Sequence, residues 1–132
     1  MLRVPIPIGM LLCEQVIVQE QTRYVTPVNC FTHRAVKQFP SEAFPFVVFT
    51  ILTGSQGDVP LAIVINRLDT LDLVYRATFS VRFTSPLQAV RCTLRVLNCR
   101  FPIAGHYEVL LMAGGEMIAR VKLVVQKKEP LP

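Results

Sequence analysis

Few side chains in this sequence can do covalent or acid-base chemistry, so their spacing decides a great deal. His33 and His106 are the only histidines, and proton transfer or metal ligation needs one of them beside a partner. His106 directly precedes Tyr107, so on a strand it takes the opposite, solvent-facing side. His33 follows Cys30 closely and could join Cys30 or a distant Cys99 in the thiol-imidazole pair that nucleophilic catalysis requires. No motif surrounds either histidine, and an exposed loop histidine with inert thiols is the expected state. Cys13, Cys30, Cys92 and Cys99 show neither close pairing nor metal-like spacing, which reads as reduced thiols in a cytoplasmic protein. Cys92 is in phase with Val90, Leu94 and Val96, the place of a small core residue.

Carboxylates form no better constellation. Asp69 and Asp72 flank a turn and are separated by Leu71, whereas calcium needs several oxygen ligands in one dense loop. Local bonding of Asp and Thr side chains to backbone amides explains the segment. Gly54 and Gly57 open no helix, so they offer no phosphate cradle. The expectation is a non-enzymatic chain with no catalytic residue, no cofactor and no metal.

Positive charge is the feature with functional leverage. The formal net charge is +5, and 10 of the 14 basic residues are Arg. Arg76, Arg82, Arg91 and Arg95 are expected to share the outward face of neighbouring strands. Clustered Arg holds phosphate, nucleic acid or an acidic protein surface by charge and bidentate bonding. The outward residues between them are Thr78, Ser80 and Thr93, with no aromatic ring for bases to stack on. A solvated face comes first, then an acidic protein partner, and nucleic acid after both.

The elements that must position these residues are strands. A length of 132 residues fits one domain with one core. Charged residues are 17% and hydrophobic ones 52% of the chain, a balance that suggests apolar surface buried against another protein chain. No apolar run reaches the roughly 18 residues of a membrane-spanning helix, so membrane insertion is not expected. The start has one positive charge before an apolar stretch ending in Cys13, but Leu12 stands where a lipoprotein cleavage site needs a small residue.

A first strand is expected within Leu11 to Glu20, a turn at Gln21-Thr22, and a second strand from Arg23 to Val36, making an amino-terminal hairpin over about residues 10–36. A proline-containing linker, Phe39 to Pro45, follows. Phe46 to Leu52 is continuously apolar, as in a strand covered on both faces. After a turn at Thr53 to Asp58 come Leu61 to Arg67, then two runs of clean period two. Leu73, Tyr75, Ala77, Phe79, Val81 and Phe83 alternate with polar residues, and so do Val90, Cys92, Leu94 and Val96. Tyr107, Val109 and Leu111 face inward on the next strand. After a Gly114-Gly115 turn, Met117, Ala119, Val121, Leu123 and Val125 face inward on the last, leaving a polar tail at 126–132.

About seven to nine short strands with regular turn signals and no helical stretch indicate an all-β, antiparallel sandwich. Gly105-His-Tyr107 before a strand matches the corner of an immunoglobulin-like sandwich, with Val109 where disulfide-stapled members carry Cys. That order places the strands at 73–83 and 88–98 beside each other in one sheet and pairs 105–113 with 116–126 in the other. Leu12-Cys-Glu-Gln-Val16, Asn29-Cys-Phe31, the Phe-Pro linker and the closing Phe101-Pro-x-x-Gly-x-Tyr107 hairpin with Gly115-Glu-x-Ile-Ala-Arg120 resemble an uncharacterised bacterial immunoglobulin-like family, a domain of unknown function. The resemblance spans nearly the whole chain and implies a small intracellular protein. Its motifs are turns and core positions, so it supplies no catalytic residue.

Sheet edges carry unpaired backbone groups that accept further strands. Charge and proline guard the tail after Val125, while Val16, Ile17 and Val18 have no such guard. This edge is the expected surface for a protein partner or a homo-oligomer.

Overall fold

The computed structural model describes residues 4–129, and the ends of the expected single domain, residues 1–3 and 130–132, lie outside the described residues. Ten strands and no helix make up the described chain: β1 (Ile6–Cys13), β2 (Gln15–Val18), β3 (Val25–Val28), β4 (His33–Val36), β5 (Phe46–Thr53), β6 (Gly57–Arg67), β7 (Leu73–Phe83), β8 (Val90–Val96), β9 (Gly105–Ala113) and β10 (Glu116–Lys127). They form a three-stranded sheet β1-β5-β8, a five-stranded sheet β4-β10-β9-β6-β7 and a two-stranded ribbon β2-β3. The five-stranded sheet curls as a half-barrel.

One core lies between the two larger sheets. The inward rows of β5 (Phe46, Val48, Leu52), β6 (Leu61, Ile63, Ile65) and β9 (Tyr107, Val109, Leu111) are all buried in it. A second, smaller cluster of Cys13, Val47 and Phe49 lies on the other face of the small sheet, with Val16 and Val25 of the ribbon packed against it. That second layer explains why β5 reads as continuously apolar. Its alternate residues point into two different cores.

The amino-terminal hairpin is smaller than the sequence suggests. Only β2 and β3 pair with each other, from Gln15 opposite Val28 to Val18 opposite Val25, and the turn at residues 20–22 falls as expected. The flanking segments go elsewhere. β1 pairs antiparallel with β5, and β4 pairs parallel with β10. The breaks occur at Glu14 and at Asn29, whose φ of 54° takes it out of the extended region. The Asn29 amide then donates to Glu14 Oε2 at 2.9 Å, so the two breakpoints hold each other. β1 also starts earlier than expected, with a register shift between Pro7 and Met10.

β6 begins at Gly57, four residues before the expected Leu61. Pro60 is tolerated there because it pairs with Ser80 of β7 while the ladder to β9 starts only at Leu61. A missing amide therefore costs no bond on that side. β9 and β10 pair as expected around the Gly114-Gly115 turn, whose φ values of 58° and 84° suit a two-residue hairpin loop. A bulge between Met117 and Ala119 resets the phase, leaving Met117 exposed where simple alternation places it inside.

One expected neighbour relation is overturned. β7 and β8 belong to different sheets, β7 at the edge of the large one and β8 at the edge of the small one. The chain from Thr84 to Ala89 crosses between the layers instead of turning back within one. Period-two patterning fixes which side chains face the core but is silent about which sheet a strand joins.

Candidate functional site

The residues with catalytic potential are held apart. Cys99 and Cys92 are buried in the main core, and burial pushes their thiols up to about 12 and about 11. Such thiols stay protonated at neutral pH and are poor nucleophiles. Cys13 is also raised, first by burial and then by the neighbouring Cys30. Cys30 is exposed at the end of the ribbon. His33 begins β4 on the surface and makes no side-chain hydrogen bond to Cys30 or Cys99. Among the described residues no group of three or more His, Cys, Asp or Glu is arranged to hold a metal. Asp69 is engaged by Arg67 at 2.8 Å within the β6–β7 turn.

The four arginines do not share one surface. Arg76 and Arg82 are on β7, opposite Val64 and Asp58 of β6, and face outward from the large sheet. Arg91 and Arg95 are on β8, opposite Ile51 and Val47 of β5, and face outward from the small sheet. The two outer faces point away from each other. Arg82 is 3.8 Å from the Asp58 carboxylate. Arg91 donates to the Arg23 carbonyl and so ties the ribbon's turn to the sheet it covers. Arg95 lines a cavity of about 240 Å³ between the ribbon and the small sheet, together with Glu14, Val16 and Leu97.

The ribbon divides its apolar residues between two tasks. Val16 packs on the second cluster, while Ile17 and Val18 keep 52% and 42% of their surface in solvent. Tyr24, just beyond the turn, is also exposed. Ile17 alone of the three faces outward, since Val18 stands opposite Val25 on the inward side and is exposed at the ribbon's end.

Two features escape the sequence pattern. Arg34 lies over two rings, with its guanidinium carbon 4.9 Å from the Phe31 centroid and 4.4 Å from that of Phe44. Its spacing from Phe31 was the available signal, but only the fold brings Phe44 to its other side. The second is the uneven cover over the large sheet. Tyr75, Ala77, Phe79 and Val81 of β7 are only half-buried, although their alternation is as regular as that of the fully buried rows beside them.

These observations define an all-β domain in which a two-stranded ribbon covers one outer face of a layered core. The chain belongs to the Family of unknown function (DUF6941), whose model matches residues 9–126. No curated protein matches the chain.

Proposed function

We propose that this domain is a non-enzymatic, intracellular protein-interaction module of immunoglobulin-like build, working through self-association or a protein partner. The observation that carries the reading is the ribbon's outward apolar pair, Ile17 and Tyr24, on an element already anchored from below by Val16 and Val25. A ribbon needed only as a cover would spend its outward residues on polar side chains, whereas apolar residues grouped on the surface favour contact with another protein.

The immunoglobulin-like build is supported by Tyr107, whose hydroxyl donates back to the Ile103 carbonyl as a tyrosine corner does, although the parallel pairing of β4 with β10 departs from the expected antiparallel order. Val109 stands fully buried where stapled members carry Cys. Four free thiols suit a reducing, cytoplasmic location.

The test is recovery of the tagged chain from its own cells under reducing conditions with nuclease present, followed by native mass measurement. A stoichiometric partner or a defined oligomer that is lost in Ile17→Lys supports the module. A strictly monomeric chain that recovers nothing overturns it.

A further inference from the structure

Two of the free thiols are cross-strand neighbours where the chain enters and leaves the ribbon. Gln15 stands opposite Val28 at the ribbon's base, and the Phe31 N–H donates to the Leu12 carbonyl at 3.0 Å. Both contacts fit one antiparallel register, in which the path forward from Leu12 to Gln15 matches the path back from Phe31 to Val28. Glu14 is then opposite Asn29, and the hydrogen bond between their side chains spans that step. Cys13 is opposite Cys30. Residues so opposed have Cα atoms about 4.5–5.5 Å apart, within the ~4.4–6.8 Å that a disulfide bridges.

The two thiols also share a face. Leu12 is buried in the main core and Phe31 packs against it, so the next residue on each strand turns the other way. Cys13 accordingly lies in the second cluster, with Cys30 exposed beside it. Burial first, and Cys30 after it, hold the Cys13 thiol above its ordinary value. Cys92 and Cys99 are buried in the main core, away from this face. Cys30 also borders a surface hollow of about 230 Å³ lined by Met10, Leu12, Phe31 and Val121, which admits a small oxidant.

We propose that Cys13 and Cys30 form a reversible, hydroperoxide-driven disulfide that clamps the two ends of the ribbon. The Cys30 thiolate attacks one peroxide oxygen. The S–O bond forms, the O–O bond breaks, and the departing hydroxide takes up a proton as water. The Cys13 sulfur then attacks the sulfur of the Cys30 sulfenic acid, and the S–S bond forms as the S–O bond breaks. The hydroxyl leaves as water with the proton that Cys13 gives up. Two thiols have lost two electrons and one hydrogen peroxide has become two waters, and a dithiol reductant reverses the change by exchange. Exposure assigns the first step to Cys30 and burial keeps Cys13 for the second. Oxidant-responsive disulfides of this kind occur in reducing compartments. The bond lies within one chain, so the proposal goes beyond the interaction-module reading and does not depend on it.

The test treats the reduced full chain with hydrogen peroxide and follows it by intact mass, by thiol titration after unfolding and by peptide mapping. The expected product has lost two hydrogen atoms, and its titratable thiols fall from four to two. Trypsin cuts at Arg23, between the two cysteines, so the product yields a linked peptide pair that separates on reduction. Closing the loop restrains the unfolded chain, and the thermal midpoint should rise by roughly 5 °C. Cys30→Ser, at an exposed position, should abolish the hydrogen loss and the rise together. Cys13→Ala should leave Cys30 as a sulfenic acid that dimedone traps. Cys30 capped or over-oxidised with Cys13 still free, a Cys30 bridge between two chains, or the same hydrogen loss in Cys30→Ser overturns the proposal. Should Cys13→Ala fail to fold, the peptide map of the parent and Cys30→Ser decide it.

Discussion

The Tyr107 hydroxyl donates to the Ile103 carbonyl at 2.5 Å, closing the corner that leads into β9. The ring is fully buried and meets Phe101 edge-on, with centroids 4.8 Å apart. The bond spans four residues, so it fixes the path of the Ile103 to His106 segment before β9 joins the ladder. Tyr107→Phe keeps the ring and removes only the hydroxyl. The Ile103 carbonyl then loses its buried donor, and stability should fall by about 1–2 kcal/mol. Urea unfolding monitored by circular dichroism reads this as a lower midpoint with an unchanged slope. An unchanged midpoint would mean that the corner contributes no stability.

Thiol burial gives the protein a defined alkaline limit. Cys99 and Cys92 are raised to about 12 and about 11 in the fold, from an ordinary value of 9.0. Above pH 9 the unfolded chain releases these protons while the folded chain holds them, so the native state binds more protons and stability falls as pH rises. The contribution is intact below pH 9 and is lost by the time pH passes the folded values. Unfolding midpoints measured from pH 8 to pH 11 should decline, and the decline should be shallower in Cys99→Ala, itself less stable at pH 8 because it leaves a small cavity. Alkylation at pH 8 should label Cys30 first and reach Cys92 and Cys99 only with unfolding. Equal slopes for the two proteins would refute the linkage to Cys99.

The ribbon separates stability from binding by one residue. Val16 packs against the Cys13, Val47 and Phe49 cluster, whereas Ile17 points outward. Val16→Ser should cost roughly 1–2 kcal/mol through lost apolar burial. Ile17→Ser should stay within ~0.5 kcal/mol of the parent and reduce recovery of the partner or oligomer. The pair is measured by thermal unfolding beside native mass spectrometry. A reversed pattern, with Ile17→Ser the destabilised variant, would show that the ribbon sits in the opposite phase.

How far the sequence carries this architecture is visible strand by strand. The bounds of β7, Leu73–Phe83, and of β8, Val90–Val96, coincide with their period-two runs, because each has one face in the core and one in solvent. The phase of β9 was legible for the same reason, and Tyr107 marked its start. At the amino end the pattern misleads, since Val16 to Val18 and Val25 to Val28 continue neighbouring strands in sequence while the chain changes sheets at Glu14 and Asn29. Those changes depend on pairing with β5 and β10, far away in the chain. The arginines failed as a group for a related reason. Arg82 and Arg91 are close in sequence, but the crossing at Thr84 to Ala89 sends them to opposite faces. The half-buried row on β7 was also out of reach, because it reflects the strand's place at the edge of its sheet and not the row's own residues.

Arg34 should matter more through its two aromatic contacts than through its ion pair. Its guanidinium stacks with Phe31 and Phe44, and Nη1 lies 3.3 Å from Glu14 Oε1 on a partly exposed surface. Phe31 in turn meets Phe46 edge-on at 5.7 Å, and Phe44 stacks on Phe101 at 5.6 Å, so the cation bridges β4 and the linker where both touch the main core. A desolvated cation over an aromatic face contributes about 1–2 kcal/mol, whereas an exposed ion pair contributes ~0.5 kcal/mol or less. Arg34→Ala should therefore lower stability by about 1–2 kcal/mol, and Glu14→Gln by much less. Arg34→Lys keeps the charge but loses the planar group that stacks on two rings, so it should recover only part of the loss. Urea unfolding of the three variants at low and high salt decides the order. A salt-sensitive loss of equal size in Glu14→Gln and Arg34→Ala would assign the stabilisation to the ion pair instead of the rings.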